Sequence, residues 1–151
     1  MTRFVSGLGA FIEADEVFDA WTSGHLPRML RALRLKTNLV DRHFLLMNIV
    51  SLAYKRRDDA ETRRLCREVG LLHVQEFAVI APALKQEMCG ILPRVPTFET
   101  LAKLFAEEGE YQLAIQICEE ALAFDLRDGT KGDYSGRIAR LRKKAATQAE
   151  T

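Results

Sequence analysis

Residues 98–122, FETLAKLFAEEGEYQLAIQICEEAL, carry two apolar stripes at helical spacing separated by a single glycine. That pattern leaves few choices besides two short helices folded against each other. In the second stripe Tyr111, Ala114, Ile115, Cys118, Ala121 and Leu122 fall on one face, while Glu110, Gln112, Gln116, Glu119 and Glu120 turn mostly toward water. In the first, Phe98, Leu101, Ala102 and Phe105 repeat at the same spacing until Glu107-Glu108-Gly109, where glycine permits the left-handed turn that commonly ends a helix. The second helix starts almost at once, so the pair must be antiparallel.

Small side chains at Ala102, Ala114 and Ala121 let two helix axes approach, and Phe98, Phe105 and Tyr111 fill the space beside them. This order of residues, Phe98, Leu101, Ala102, Phe105, Gly109, Tyr111, Ala114, Cys118 and Ala121, resembles the tetratricopeptide repeat over residues 97–125. That family commonly has proline after its second helix, where this chain has Leu126. The resemblance implies a fold of stacked antiparallel helical hairpins, either an α-α superhelix or a compact helical array. It also implies a groove lined by the first helix of each hairpin. On this chain that groove maps to Glu99, Lys103 and Ala106, and more loosely to Asn48 and Lys55.

The rest of the chain supports an all-α class with about seven or eight helices, since period-two alternation is absent and Leu, Ala, Arg, Glu and Lys dominate. A first helix is expected over about 12–22, with Ile12, Val17, Phe18 and Trp21 on its apolar side, and a second from His25 or Leu26 to Lys36 with Pro27 in its first turn. Spacing around Gly24, Leu26, Met29, Leu30 and Leu33 echoes that around Gly109. A third helix reads from about Asp41, its expected cap, to Arg57, and a fourth from Asp58-Asp59 through Val69, stopped by Gly70. Residues 71–92 are mostly apolar and read as a central helix buried on more than one side, kinked or divided near Val79–Ile80 by Pro82. Leu92-Pro93-Arg94-Val95-Pro96 cannot be helical throughout and forms a rigid elbow, with Thr97 capping the next helix. A final helix is expected over about 134–146.

With 151 residues and 48% hydrophobic content, one helical domain over 1–151 can bury a core. A sub-boundary at 92–97 would separate an N-terminal half, 12–91, from the hairpin and final helix, 97–147. The 22 basic and 21 acidic residues nearly cancel, so bulk charge attracts no polyanion. The first twelve residues lack a convincing secretory cleavage site, and no apolar run reaches the roughly 18 residues that cross a bilayer. Cys66, Cys89 and Cys118 are odd in number and set among apolar positions, which suits reduced thiols in a cytoplasmic protein.

Motifs for chemistry are sparse. His25, His43 and His73 share no metal-ligand spacing with each other, with cysteine or with carboxylates, and are read as structural; no metal or cofactor is expected. No nucleophile elbow occurs, and Glu107 and Glu108 sit at a helix end where solvated carboxylates are ordinary, so no enzyme is expected. Gly129-Thr130-Lys131-Gly132 reads as a helix-capping loop or, alternatively, an anion site, without the phosphate-loop pattern. Basic residues cluster at Arg28, Arg31 and Arg34, at Arg63, Arg64 and Arg67, and at Arg137, Arg140 and Arg142. They are either solvated helix faces or a surface for an acidic peptide or a nucleic-acid backbone. The expected function is therefore a non-catalytic protein- or peptide-binding module, able to close into a globule or pair as a homodimer. The alternative is a nucleic-acid-associated regulator using Arg28, Arg31, Arg34, Arg63, Arg64 and Arg67.

Overall fold

The computed structural model describes residues 3–7 and 10–150, with side chains from residue 15 onward. Among these residues seven α-helices follow one two-stranded antiparallel ribbon, so the chain is helical in class. It divides into two compact units, residues 1–93 and 94–151.

In the first unit β1 (Arg3–Gly7) pairs with β2 (Ala10–Ala14) with Val5 opposite Ile12. This corrects the expectation of a helix from residue 12: α1 spans Glu16–Ser23. The start is fixed by Asp15, whose carboxylate accepts a hydrogen bond from the Phe18 amide at 2.9 Å, an N-cap that Ala10–Ala14 cannot supply, and Phe11 and Ile12 are strand-favouring types. Residues 1, 2, 8 and 9 of the segment read for a secretory signal lie outside the described residues. Gly24 ends α1 at φ +70°, and α2 (Leu26–Ala32) buries Leu26, Met29 and Ala32. Pro27 sits in its first turn, where its missing N–H has no intrahelical role.

The next helix, α3 (Leu39–Lys55), is capped by Asn38 rather than Asp41. Asn38 Oδ1 accepts from the Asp41 amide at 2.8 Å, while the Asp41 side chain turns inward to another partner. Helix α4 (Ala60–Glu87) is capped by Asp59 and runs unbroken for 28 residues, so Gly70 does not stop it and Pro82 does not divide it. Glycine inside a helix costs about 1 kcal/mol, less than the burial it permits: Cys66, Val69, His73 and Phe77 are all buried on the same side as Gly70. Pro82 lies on the exposed side between buried Ala81 and Leu84. The part of α4 from residue 71 onward is not buried all round, for Leu71 and Val79 are 41% and 64% exposed. Contacts from Arg42 to Glu76, His43 to His73 and Cys66 to Val50 run in opposite senses along the two helices, so α3 and α4 are antiparallel.

The second unit opens with α5 (Pro96–Glu107), whose N-cap is Val95 and not Thr97; Thr97 is 1% exposed and inside the first turn. Proline at the first helical position starts the helix without a side-chain cap. Phe98, Leu101, Ala102, Leu104 and Phe105 are buried. Gly109 adopts φ +76°, and the Glu110 amide donates back to the Phe105 carbonyl at 2.9 Å, closing the turn into α6 (Tyr111–Ala123). Ala114, Ile115, Ile117, Cys118 and Ala121 form the buried side of α6, while Leu122 is 36% exposed. Helix α7 (Asp133–Ala149) packs against α6 through the thin seam of Tyr134, Ile138 and Leu141. No described helix is long and apolar enough to cross a membrane.

Candidate functional site

Helix α2 and the turn after it interleave two stripes of period three. Leu26, Met29 and Ala32 point into the fold, and Arg28, Arg31 and Arg34 are thereby forced outward. From His25 to Lys36 the sequence contains no Asp or Glu. The three arginines border a cleft of about 500 Å³ with Glu16 on its rim and Ala20, Ala32 and Leu35 among its lining. Among the described residues no hydrogen bond or ion pair engages Arg28, Arg31 or Arg34. Guanidinium is a cation, so the cleft sets three positive groups, without a partner among the described residues, beside the carboxylate of Glu16 and a small apolar lining.

Other arginines are committed to structure. Arg42 forks onto Glu76, with Nε to Oε1 at 2.9 Å and Nη2 to Oε2 at 2.8 Å, and its Nη1 donates to the Leu33 carbonyl at 2.6 Å. It thus ties α3 to α4 and to the end of α2. In the second unit Arg137 Nε donates to Asp128 Oδ2 at 2.7 Å, and its Nη2 lies 3.7 Å from Glu99 Oε2. The other Asp128 oxygen accepts from the Thr130 amide and hydroxyl at 2.9 and 2.7 Å. Burial pushes the Asp128 carboxyl up, but the Thr130 bonds and Arg137 outweigh it and hold it below the usual carboxylate range. The Gly129 amide donates to Asp133 Oδ1 at 3.0 Å. The loop before α7 therefore spends the Gly129 and Thr130 amides on its own carboxylates, as a capping loop does.

Sequence-expected binding residues are distributed as follows. On α5, Glu99 is half-buried against Arg137 and 3.5 Å from Arg94 Nη2, Lys103 is exposed and Ala106 half-buried. On α3, Asn48 Nδ2 donates to the Phe44 carbonyl at 2.7 Å, and Lys55 is exposed in the last turn. The six arginines of the alternative reading do not converge: Arg63, Arg64 and Arg67 lie in the first turns of α4 and do not line the cleft that Arg28, Arg31 and Arg34 border.

Two features were missed in the sequence. His43 and His73, read from the sequence only as structural, meet at 2.9 Å between Nδ1 and Nε2, with 1% and 0% exposure. Each comes from a different helix, 30 residues apart, and only the α3–α4 register brings them together. Burial lowers His43 to about 4; burial, together with the charges of His43 and Arg42, holds His73 well below the ordinary imidazole range. Both rings are neutral at pH 7 and share one hydrogen bond. The second is Asp41, 3% exposed, which accepts from Trp21 Nε1 at 3.0 Å and from Asn38 Nδ2 at 2.7 Å. Trp21 in turn stacks on Phe44 with ring centres 4.9 Å apart.

Among the described residues no three His, Cys, Asp or Glu side chains gather as a metal cage. Cys66 and Cys118 are buried, whereas Cys89, expected in the core, is exposed beyond the end of α4. Burial pushes the Cys118 thiol up to about 11, which leaves it an unreactive core side chain. No protein family, curated protein or solved structure matches the chain.

Proposed function

We propose that this chain is a non-catalytic binding module whose partner is a protein or peptide. The observation that supports it is a division of labour among charged groups. Asp41, Asp128, Arg42, Arg137, His43 and His73 are all consumed by contacts within the fold. Arg28, Arg31 and Arg34 have no partner among the described residues and stand around a concave surface. Catalysis calls for titratable groups converging on a space that admits substrate; recognition calls for unsatisfied groups at a surface. The resemblance of α5 and α6 to a tetratricopeptide hairpin agrees with this reading and offers Glu99, Lys103 and Ala106 as a second surface. Two buried thiols suit a reducing, cytoplasmic setting.

The test is capture by the full-length chain, immobilised, from its native lysate, followed by identification of what is retained. Loss of a specific protein with Arg31→Glu locates recognition at the cleft, and loss with Lys103→Glu locates it on α5. Retention of no specific protein by any form overturns the reading.

A nucleic-acid role is disfavoured by one observation. Of the two arginine groups it requires, only Arg28, Arg31 and Arg34 line the cleft, and the carboxylate of Glu16, which would repel phosphate, lines it with them.

A further inference from the structure

Resting on that reading, we infer that the α1–α2 cleft recognises an acidic peptide segment carrying an apolar anchor, with its carboxylates on Arg28, Arg31 and Arg34 and its anchor on Ala20, Ala32 and Leu35. Arg28 and Arg31 lie three residues apart on α2, so their Cα atoms are offset by about 4.5 Å along the helix axis, and Arg34 follows in the turn after the helix. Carboxylates three or four residues apart on a peptide helix have nearly the same rise, which allows several charge-assisted pairs in one register. Leu35 is 37% exposed beside Arg34, an apolar surface larger than a site for a bare phosphate requires. Ala20 and Ala32, 1% and 3% exposed, line the cleft with it, so Leu35 offers most of the accessible apolar contact among these three.

Volume favours the same occupant. A space of about 500 Å³ admits a few side chains, as ordinary ligand pockets do. A polynucleotide requires a long basic track, commonly with aromatic platforms for bases. No aromatic side chain is among the described residues that line the cleft, and the aromatics of α1 face each other and α3: Phe18 packs edge-on to Trp21 at 5.5 Å, and Trp21 stacks on Phe44. Glu16 then has a positive function, because it penalises a uniformly anionic ligand and spares one whose carboxylates are spaced.

The experiment is fluorescence anisotropy of the full chain with a labelled peptide repeating Glu-Glu-Leu, against peptides repeating Gln-Gln-Leu and Glu-Glu-Ser and against single-stranded oligothymidine. The expected result is saturable binding of Glu-Glu-Leu that weakens with salt and falls roughly tenfold or more in Arg28→Gln/Arg31→Gln. Both control peptides bind more weakly, and Lys144→Gln, at an exposed position of α7, binds as the parent does. Circular dichroism confirms that the variants fold, as substitutions at exposed positions should. Absence of peptide binding at low salt, equal loss with Lys144→Gln, or tighter binding of oligothymidine overturns the inference. If lysate capture persists in Arg31→Glu while the peptide fails, the cleft assignment falls and the binding-module reading survives.

Discussion

His43 Nδ1 and His73 Nε2 lie 2.9 Å apart in the interior between α3 and α4, so one ring donates to the other, and the accepting nitrogen cannot take up a proton without breaking the bond. Both folded-state pKa values lie below the ordinary imidazole value of 6.5, His43 at about 4. Between those limits the unfolded chain binds protons that the folded one refuses. Stability is therefore complete above about pH 6.5 and declines as pH falls toward 4, by roughly 1 kcal/mol per pH unit for each histidine. Urea unfolding at pH 7.5, 6 and 5 should show this slope. A His43→Leu/His73→Leu variant should flatten it, and an unchanged slope in that variant would remove the pair as its cause.

Asp41 joins α1 to α3 through Trp21, the single tryptophan of the chain. Asp41→Ala leaves the indole N–H without its acceptor and should cost about 1–3 kcal/mol, with a shift in Trp21 emission even in the folded protein. Intrinsic fluorescence during denaturation reads both effects at once. Wild-type stability together with an unshifted spectrum would contradict the contact.

In the second unit Asp128→Ala strips Arg137 of its closest carboxylate partner, and both side chains are largely shielded, at 0% and 13% exposure. The loss should be about 3 kcal/mol. Because the folded carboxyl is held below its ordinary value, its contribution is present above about pH 4 and is lost on further acidification. Melting curves of wild type and variant should converge as pH drops below 4, and a constant gap would show that the charge is not responsible.

Two glycines should respond differently to alanine. At Gly136 a Cβ would lie 2.0 Å from the Lys131 carbonyl oxygen, so Gly136→Ala must displace backbone and should cost about 2 kcal/mol or more. At Gly109 the nearest atom would be Gln148 Oε1 at 3.9 Å, leaving only the left-handed backbone to penalise, roughly 1 kcal/mol. Comparable losses at both positions, measured by chemical denaturation, would contradict this contrast.

What could be read from the residues was local. The stripe of Phe98, Leu101, Ala102 and Phe105, the turn at Gly109 and the first-turn Pro27 each act within one helical turn, and the structure has them where spacing puts them. Failures came where a distant partner outweighed a local preference. Gly70 reads as a terminator until the burial of Val69, His73 and Phe77 carries the helix through it. Asp41 reads as a cap until Trp21 draws its carboxylate inward. His43 and His73 gave no signal because their meeting depends on the register of two long helices. The arginines at 28, 31 and 34 were visible as a group, but their lack of partners among the described residues, and the fact that Arg63, Arg64 and Arg67 do not line their cleft, needed the tertiary structure.

The central claim is that the unengaged arginines of α2 and the turn after it face a partner. Amide chemical-shift mapping of the full chain during titration with the Glu-Glu-Leu peptide tests it most directly. The account predicts shifts concentrated at Glu16, Ala20, Arg28, Arg31, Ala32 and Leu35, with Glu99, Lys103 and Ala106 unmoved. Shifts centred on α5, or none at saturating peptide, would contradict it.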